Sequence, residues 1–383
     1  MAGLNGMANC SFPPIHNSKR QSIFLPGIMV LNLNNPLHLV VFLGTAIGDI
    51  VPREEISLES LNGKTLGFDS YNIIYQFLSS IRGQDGTPLM DSHGIVTSHL
   101  TGLFYRTINL VEKGVKPVFV FDGKPPALKG ETLKKRHEIR TDAIEKHEKA
   151  LKDGDMAEAK KWGSRALRLD QRMIDDAKQL VSLMGFPAIN APGDGEAQLS
   201  QMAAAKKIDG VVSQDYDTLL FGTPVLYRNV GVTGKRKLPG KSIWADVSPE
   251  KIVLEKVLSS NQITRQKLIW IGILIGTDFN EKFPKIGIKT ALKLVKENDS
   301  FEGIISAAEF EPEFGWKEVE AIFTAPEFTD DYRISFSVPQ KEKIIEFLCD
   351  RHDFSAERVQ SSLNRLSEKM SERTKQSTLG AWS

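Results

Sequence analysis

Seven carboxylates follow short apolar stretches of this chain, and their types and positions suggest metal chemistry: Asp69, Asp122, Asp194, Glu196, Asp215, Asp217 and Asp278. In an open α/β sheet, loops at the carboxyl ends of the strands converge on one crevice, so the fold would crowd these acids together. Crowded carboxylates raise each other's pKa or require a counterion, and oxygen ligands at this density suit Mg²⁺ or Mn²⁺. The joint pattern predicts a phosphodiesterase with two metal ions.

Each acid taken alone has an ordinary structural explanation, because an aspartate at the end of a strand commonly caps the next helix or makes a turn. The metal hypothesis therefore depends on the seven positions together. Only two cysteines occur, Cys10 and Cys349, so the sequence supports neither a disulfide framework nor a zinc site built on cysteine.

The composition is that of a soluble globular protein: 25% of the 383 residues are charged and 41% are hydrophobic. The net charge of +1 leaves a basic outer surface if cations mask the seven acids, which would suit a nucleic-acid partner. The front segment, residues 1–42, contains no Asp or Glu, and its apolar stretches are shorter than the roughly 20 residues that cross a bilayer. No clean secretory cleavage site follows them, so we expect no membrane association.

Strands and helices alternate around the first acids. Apolar runs predict strands at 65–68 and 118–121, and apolar periodicity predicts helices at 71–81 and 98–112. This order indicates an α/β architecture.

The later part of the chain predicts helices at 170–184 and 196–206, a strand at 208–212 and a hairpin with its tip near 233–237. Two further helices, at 265–277 and 289–297, flank a loop that contains glycine. Such a loop suits a grip on the DNA backbone, and a purely structural helical hairpin fits the spacing nearly as well.

Residues 123–168 form a charged, largely helical stretch that begins beside Asp122. Lys129 and Arg136 lie seven residues apart and would point the same way if a helix starts near Leu128. A solvated helix surface explains such a run equally well.

Beyond residue 370 the chain becomes polar, and a disordered terminus is expected. Leu379 and Trp382 are nevertheless spaced to share one face of a helical turn and to enter a partner's groove.

Five stretches, at 67–69, 74–78, 97–100, 104–107 and 119–126, together resemble the flap endonucleases in their archaeal form, which are structure-specific 5′ nucleases of replication and repair. The resemblance covers about residues 44–383. It implies a PIN-like fold with a mixed, largely parallel central sheet, helices on both faces, a helical arch and a helix-hairpin DNA-binding motif. It also implies 5′ flap endonuclease and 5′-3′ exonuclease activity in Okazaki-fragment maturation and repair.

The resemblance assigns roles to the acids and to three other side chains. Asp69, Asp122, Asp194 and Glu196 would bind one Mg²⁺, and Asp215, Asp217 and Asp278 would serve a second or hold its waters, with Mn²⁺ as a substitute. Lys129 and Arg136 would contact the scissile phosphate. Tyr75 would stack on the terminal base, although packing in the core is the alternative for this residue.

The resemblance also implies contacts with partners. Residues that would bind branched or flap DNA are Gly44, Arg82, Thr97, Arg106, Gly287 and Lys289, and those that would bind a sliding clamp are Gln376, Leu379 and Trp382. The implied divisions are an extension at 1–42, a nuclease region at 43–150, a second at 151–345 with the helix-hairpin motif at 265–297, and a C-terminal helix and tail at 346–383. A monomer in an archaeal cytoplasm, associated with the nucleoid, is expected.

Four departures from the family pattern carry expectations of their own. Asp194 replaces a longer glutamate, so its metal contact would run through water. Lys285 replaces a glycine at the start of the hairpin loop and is disfavoured if that position needs a positive φ. Ser383 replaces an aromatic residue, which would weaken clamp binding. Family members begin with Met-Gly; Gly44 matches that glycine, so the start would fall at Leu43, and residues 1–42 are hypothesised to be an upstream misreading of the gene.

Two other functions remain open on sequence grounds. A catalytically silent DNA-junction or clamp adaptor would keep the fold, but it would not need all seven acids. A related nuclease acting on RNA or on DNA bubbles would keep the acids, but the clamp-like tail favours replication flaps.

Overall fold

The computed structural model describes residues 46–83, 87–124, 128, 130–163, 166, 169–231, 234–237 and 244–380. At 131–137, 140, 160, 234–237, 244–246 and 372–380 it describes the backbone alone. Several sequence predictions lie outside these residues, namely the front segment 1–42, Leu43, Gly44, Lys129, Trp382 and Ser383. The side chains of Arg136, Gln376 and Leu379 also lie outside them.

A seven-stranded mixed sheet forms the centre of the described chain. Its strands are β1 (Glu54–Glu55), β2 (Thr65–Asp69), β3 (Lys116–Phe121), β4 (Ala188–Asn190), β5 (Gly210–Val212), β6 (Val225–Arg228) and, after a separate ribbon, β9 (Glu250–Val253). The order across the sheet is β1-β9-β6-β5-β2-β3-β4, and the run from β6 to β4 is parallel. Strand β9 pairs antiparallel with β1 and β6. The expected mixed, largely parallel sheet is confirmed.

The two faces of the sheet bury different residues of the same strands. Leu66, Phe68, Phe119 and Phe121 point into a core formed with α1 (Ser70–Ser80), α2 (Ser98–Glu112) and α5 (Gln171–Leu183). Val118 and Val120 point the other way, against α6 (Gly195–Ala204). Because successive strand residues face opposite sides and both sides are covered, the run 118–121 is apolar throughout.

Helix α6 packs closely on β2 at Gly67. A Cβ atom at that position would lie 2.4 Å from Leu199 Cδ2 and 2.6 Å from Ile208 Cδ1. A larger residue would push α6 away from the sheet, and α6 carries Glu196 in its first turn.

A second core is mainly helical. It contains α7 (Asp217–Leu220), α8 (Leu254–Asn261), α9 (Arg265–Ile275), α10 (Ile288–Glu297), α11 (Phe301–Ala308) and α12 (Trp316–Thr324). Helices α9 and α10 confirm the pair predicted at 265–277 and 289–297. None of the described helices is both long enough and apolar enough to cross a membrane.

The charged stretch forms α3 (Gly130–Lys152) and α4 (Met156–Gly163), which pack against each other. The division proposed between residues 150 and 151 lies inside α3. The predicted hairpin is present as a ribbon of β7 (Gly234–Lys237) and β8 (Trp244–Val247), but its predicted tip is wrong, since 234–237 is a strand. Charged residues predicted a tip there, yet charged residues also occur in strands, because β-propensity depends strongly on context.

The expectation of a disordered terminus beyond residue 370 was also wrong for the described backbone. After α13 (Lys341–Ile345), the chain forms α14 (Ala356–Gly380). The polar residues after Met370 include Glu, Arg, Lys and Gln, which extend a helix readily once packed residues such as Leu363 and Leu366 have fixed its first turns.

Candidate metal centre and DNA-facing residues

Three carboxylates are held by backbone N–H groups at the carboxyl edge of the parallel strands. Asp69 ends β2 and caps α1 by accepting the Asn72 N–H at 3.1 Å. Asp194 caps α6 by accepting the Glu196 N–H at 3.1 Å. The Asp122 Oδ1 atom accepts the Gly195 N–H at 2.9 Å, which ties the end of β3 to the start of α6. The structural explanation for aspartates at strand ends is therefore correct for Asp69 and Asp194, and it coexists with their clustering.

Gly195 allows this approach of Asp122. A Cβ atom on Gly195 would lie 2.5 Å from Asp122 Oδ1, far inside van der Waals contact. Any other residue between Asp194 and Glu196 would push Asp122 away from the other acids.

The turn after β5 presents the next two acids. The Asp215 Oδ1 atom accepts the Asp217 N–H at 3.0 Å, and Asp217 begins α7. The Ser213 hydroxyl donates to Glu196 Oε1 at 3.1 Å and accepts the Asp215 N–H at 3.1 Å. Glu196 and Asp215 are thus linked through one serine.

The electrostatics show that the acids lie close together. Burial, followed by the charges of Asp215, Asp69, Asp194 and Asp217, holds the pKa of Glu196 well above its usual range. Burial, and then chiefly Asp217, does the same to the pKa of Asp215, with smaller contributions from Asp278 and Asp69. The seventh acid, Asp122, joins the group through its bond to Gly195. The structure therefore brings all seven predicted acids to one edge of the sheet.

The donor set fits a hard divalent cation in kind. All seven side chains offer carboxylate oxygen, and the strongest charge effects on Glu196 and Asp215 come from other carboxylates. Cations relieve that repulsion. Among the described residues, however, no group of three or more His, Cys, Asp or Glu side chains is arranged as a ready coordination sphere. The ligand positions would have to adjust as a metal ion binds.

Three residues predicted to contact DNA lie on or near α2. The Arg82 Nε atom donates to Ser79 O at 3.1 Å, and burial lowers the pKa of its guanidinium. Arg106 donates to Gly231 O, and its Cζ lies 5.2 Å from the centre of the Phe77 ring. Thr97 is 5% exposed and so offers little surface to DNA.

The loop between α9 and α10 has an exposed end. Gly287 caps α10 and is exposed, with nothing within 4 Å of a Cβ placed on it, and Lys289 is exposed in the first turn. Ile286 is buried and anchors the loop. Lys285 has a φ of +61°, the left-handed conformation that favours glycine. The helix N-terminus thus faces solvent with two lysines beside it, an arrangement that attracts phosphate.

The comparisons with known proteins agree with this geometry. The XPG N-terminal domain family matches residues 45–143, and the XPG I-region family matches residues 185–278. The flap endonuclease 1 of Thermococcus onnurineus is 52% identical over 341 residues, which is 89% of this chain and 99% of that protein. The flap endonuclease 1 of Methanosarcina acetivorans is 47% identical over 340 residues, 89% of this chain and 100% of that protein.

The chain belongs to the flap endonuclease 1 family. Membership makes it a nuclease and confirms the family identified from its motifs. Among solved structures, flap endonuclease-1 from Methanococcus jannaschii matches with a TM-score of 0.69 and 39% identity, covering 86% of this chain and 100% of the other. The catalytic core of Rad2 in complex with DNA substrate matches with a TM-score of 0.60, covering 84% of this chain and 97% of the other, and at 23% identity it shows a shared fold.

The remaining residues that the flap endonuclease resemblance singled out are only partly described. Tyr75 on α1 is partly buried and packs against the first core, so the packing role that the sequence left open is real. Arg136 lies in α3, while Gln376 and Leu379 lie in α14, all described by backbone alone. Their side-chain roles remain predictions, as do those of Lys129, Gly44 and Trp382.

Sequence reasoning missed two buried serines. Ser213 links Glu196 to Asp215, and the Ser98 hydroxyl donates to Ile81 O at 2.7 Å while accepting the Leu89 N–H at 2.8 Å. A signal for Ser213 was available, because serine after a strand and two residues before an acid often binds local backbone groups.

Proposed function

We propose that this member of the flap endonuclease 1 family hydrolyses DNA phosphodiesters where single-stranded DNA meets a duplex. It would act as a 5′ flap endonuclease with 5′-3′ exonuclease activity in Okazaki-fragment maturation and repair. The observation that carries the proposal is the clustering of carboxylates at the sheet edge where parallel strands end, where Asp122 accepts the Gly195 N–H and one serine hydroxyl links Glu196 to Asp215. Such crowding costs stability, which is expected of a site built to hold cations.

The acids would divide between two magnesium ions, with manganese as a substitute. Asp69, Asp122, Asp194 and Glu196 would hold one ion, and Asp215, Asp217 and Asp278 the other. When bound, the pair activates a water and stabilises the leaving oxygen during phosphodiester hydrolysis. Asp194 also caps α6, and its short side chain favours a contact through water.

The chain's own residues orient the DNA. Lys129 and Arg136 would offset negative charge on the scissile phosphate, and the partly exposed ring of Tyr75 would stack on the terminal base. The exposed start of α10, with Lys285, Gly287 and Lys289, would bind phosphates of the downstream duplex.

Further contacts follow from the family resemblance. Thr97 and Arg106 would lie where the family holds the 3′ flap, Arg82 would contact DNA, and Gly44 would lie near the DNA bend. Gln376, Leu379 and Trp382 would bind a sliding clamp. The protein would act as a monomer near the nucleoid of an archaeal cell.

The deciding assay compares the unmutated protein with Asp122→Ala on a double-flap DNA in Mg²⁺. The unmutated protein should cut at the junction, while the variant should bind the DNA and leave it intact. Binding without cutting by the unmutated protein would instead favour the adaptor function. Faster cutting of RNA or of DNA bubbles would favour the related nuclease.

A further inference from the structure

Ser213 connects two groups of carboxylates through a single buried hydroxyl. The residue is 3% exposed. It donates to Glu196 Oε1 at 3.1 Å and accepts the Asp215 N–H at 3.1 Å. A serine hydroxyl has one proton to donate, and here that proton is directed at the carboxylate.

The hydroxyl is mounted rigidly on the central sheet. Ser213 follows β5 directly, and its N–H donates to Tyr227 O at 3.3 Å, which continues the pairing of β5 with β6. Its position is therefore set by the sheet, whereas Glu196 belongs to α6 and Asp215 to the following turn. The bond therefore ties the Glu196 carboxylate, which belongs to a helix, to a residue that the sheet holds in place.

The bond from Ser213 to Glu196 opposes the repulsion between the carboxylates of the site. Glu196 lies among other carboxylates, and each of them favours a side-chain position farther from the rest. A neutral donor can restrain the carboxylate without neutralising it, so its charge stays available to a cation. Groups that hold metal ligands in this way commonly change metal affinity by about 10- to 100-fold when removed.

We propose that Ser213 is a positioning residue, which fixes the Glu196 carboxylate relative to Asp215 and thereby sets the spacing between the ligands of the two metal ions. This inference rests on the proposed function, since it assigns Glu196 and Asp215 to different ions. Removing the hydroxyl should weaken metal binding and leave DNA binding unchanged.

Ser200 supplies a matched control. It is 1% exposed and bonds to the same residue, but its hydroxyl donates to the Glu196 backbone oxygen at 2.7 Å and pairs with the Thr223 hydroxyl at 2.6 Å. Ser200→Ala thus removes an equally buried hydroxyl beside Glu196 without touching the carboxylate. It should lower the melting temperature and leave the metal requirement unchanged.

The experiment uses the full chain carrying Ser213→Ala, Ser213→Cys, Ser213→Thr or Ser200→Ala. Three quantities are measured: Mn²⁺ affinity by calorimetry without DNA, double-flap DNA affinity in Ca²⁺, and single-turnover cleavage across Mg²⁺ concentrations. Ser213→Ala should raise the Mg²⁺ needed for half-maximal cleavage by about tenfold or more, weaken Mn²⁺ binding in parallel and leave DNA affinity unchanged. Ser213→Thr should restore the unmutated values.

Ser213→Cys keeps the volume but donates weakly, so it should shift the metal requirement in the same direction and carries the test if Ser213→Ala does not fold. The inference is overturned if folded Ser213 variants show the same metal requirement as Ser200→Ala. If the unmutated protein neither cuts the flap nor binds Mn²⁺, the proposed function itself fails. If the unmutated enzyme cuts the flap and the Ser213 variants leave its metal requirement unchanged, only the positioning role of Ser213 is refuted.

Discussion

Two clusters of buried titratable side chains handle charge in opposite ways. In the candidate metal centre, carboxylates lie beside carboxylates, and the pKa values of Glu196 and Asp215 rise. In a second group, here called the histidine cluster, His352 lies near Asp91 and Asp176, and its charge acts on His99. The His352 Nδ1 atom is 3.7 Å from Asp91 Oδ2, and its Nε2 atom is 4.0 Å from Asp176 Oδ2.

The histidine cluster joins distant parts of the chain. His99 lies on α2 and Asp176 on α5, while His352 follows a π-helical turn at Glu346–Asp350. The Asp91 Oδ1 atom accepts the N–H groups of His93 and Ile95 at 3.0 and 2.8 Å.

The two clusters differ in the neighbours of their acids, and this difference predicts opposite effects of pH on stability. Asp91 and Asp176 each have a histidine ring nitrogen within 4.0 Å, whereas the charges that act on Glu196 and Asp215 are those of other carboxylates. Acids next to acids need a cation from solution. The candidate metal centre should therefore lower the stability of the metal-free protein as pH rises, whereas the histidine cluster should lower it as pH falls.

The largest effect is expected from Asp215→Asn in the metal centre. The asparagine oxygen can still accept the Asp217 N–H, but one repelling charge is lost. Cleavage of double-flap DNA should fall by more than about 100-fold, while the melting temperature in EDTA should rise. Single-turnover cleavage and thermal melting measure the two effects.

The rise in melting temperature that Asp215→Asn causes in EDTA should be greater at pH 8 than at pH 5. The raised pKa values mean that the native carboxylates hold protons that the unfolded chain has already lost, so repulsion destabilises the native state as pH rises. A fall in the melting temperature of metal-free Asp215→Asn at pH 8 would contradict the comparison.

The next effect is the response of the histidine cluster to acid. Burial, and then the charge of His352, lowers the pKa of His99 from 6.5 to about 4. The unfolded chain therefore takes up a proton near pH 6.5 that the native state refuses, so stability falls as pH drops towards 4. The loss should approach about 3 kcal/mol, measured by urea unfolding in EDTA.

His99→Gln tests the assignment of this loss. The variant cannot take up the proton, so its stability should vary less between pH 6.5 and pH 4 than that of the unmutated protein. An unchanged acid dependence would show that another group is responsible.

A smaller effect is expected from Asp91→Asn, which makes in the histidine cluster the change that Asp215→Asn makes in the metal centre. The asparagine oxygen can keep the two backbone bonds, but a neutral amide accepts them more weakly than a carboxylate does. Unfolding free energy near neutral pH should fall by about 1 to 3 kcal/mol, with the cleavage rate of the folded enzyme retained. If both Asp→Asn variants shift stability in the same direction, the clusters do not differ as described.

The smallest effects are expected at two positive-φ residues, Lys285 with a φ of +61° and Asp353 with a φ of +57°. Lys285→Gly relieves the left-handed strain but frees the unfolded chain, so stability should change by less than about 1 kcal/mol. Loss of the Lys285 charge should reduce the slope of log DNA affinity against log salt concentration by about 0.9 if Lys285 contacts one phosphate.

Asp353→Gly should destabilise the protein, because the Asp353 Oδ2 atom accepts the Ser92 N–H at 2.6 Å. Urea unfolding and DNA titrations at several salt concentrations separate the two variants.

The clustering of the acids was easier to predict from the sequence than the histidine cluster, for a physical reason. Each of the first acids follows an apolar run, and parallel strands bring such positions to one edge, so Asp69, Asp122 and Asp215 could be grouped without coordinates. His99 and His352 carry no comparable signal, because their partners come from separate helices and loops with no shared period. The bonds of Ser213 were missed because they depend on how closely α6 approaches the end of β5.

The bond between Ser92 and Asp353 joins residues that are 261 positions apart in the chain. All seven acids precede residue 279, so every strand and loop that carries them leaves the ribosome before Asp353 is made. Closing a contact over such a distance is slow, because the intervening chain must first be ordered. During synthesis, the acidic edge can therefore assemble before the loop at 91–97 forms its hydrogen bond to Asp353.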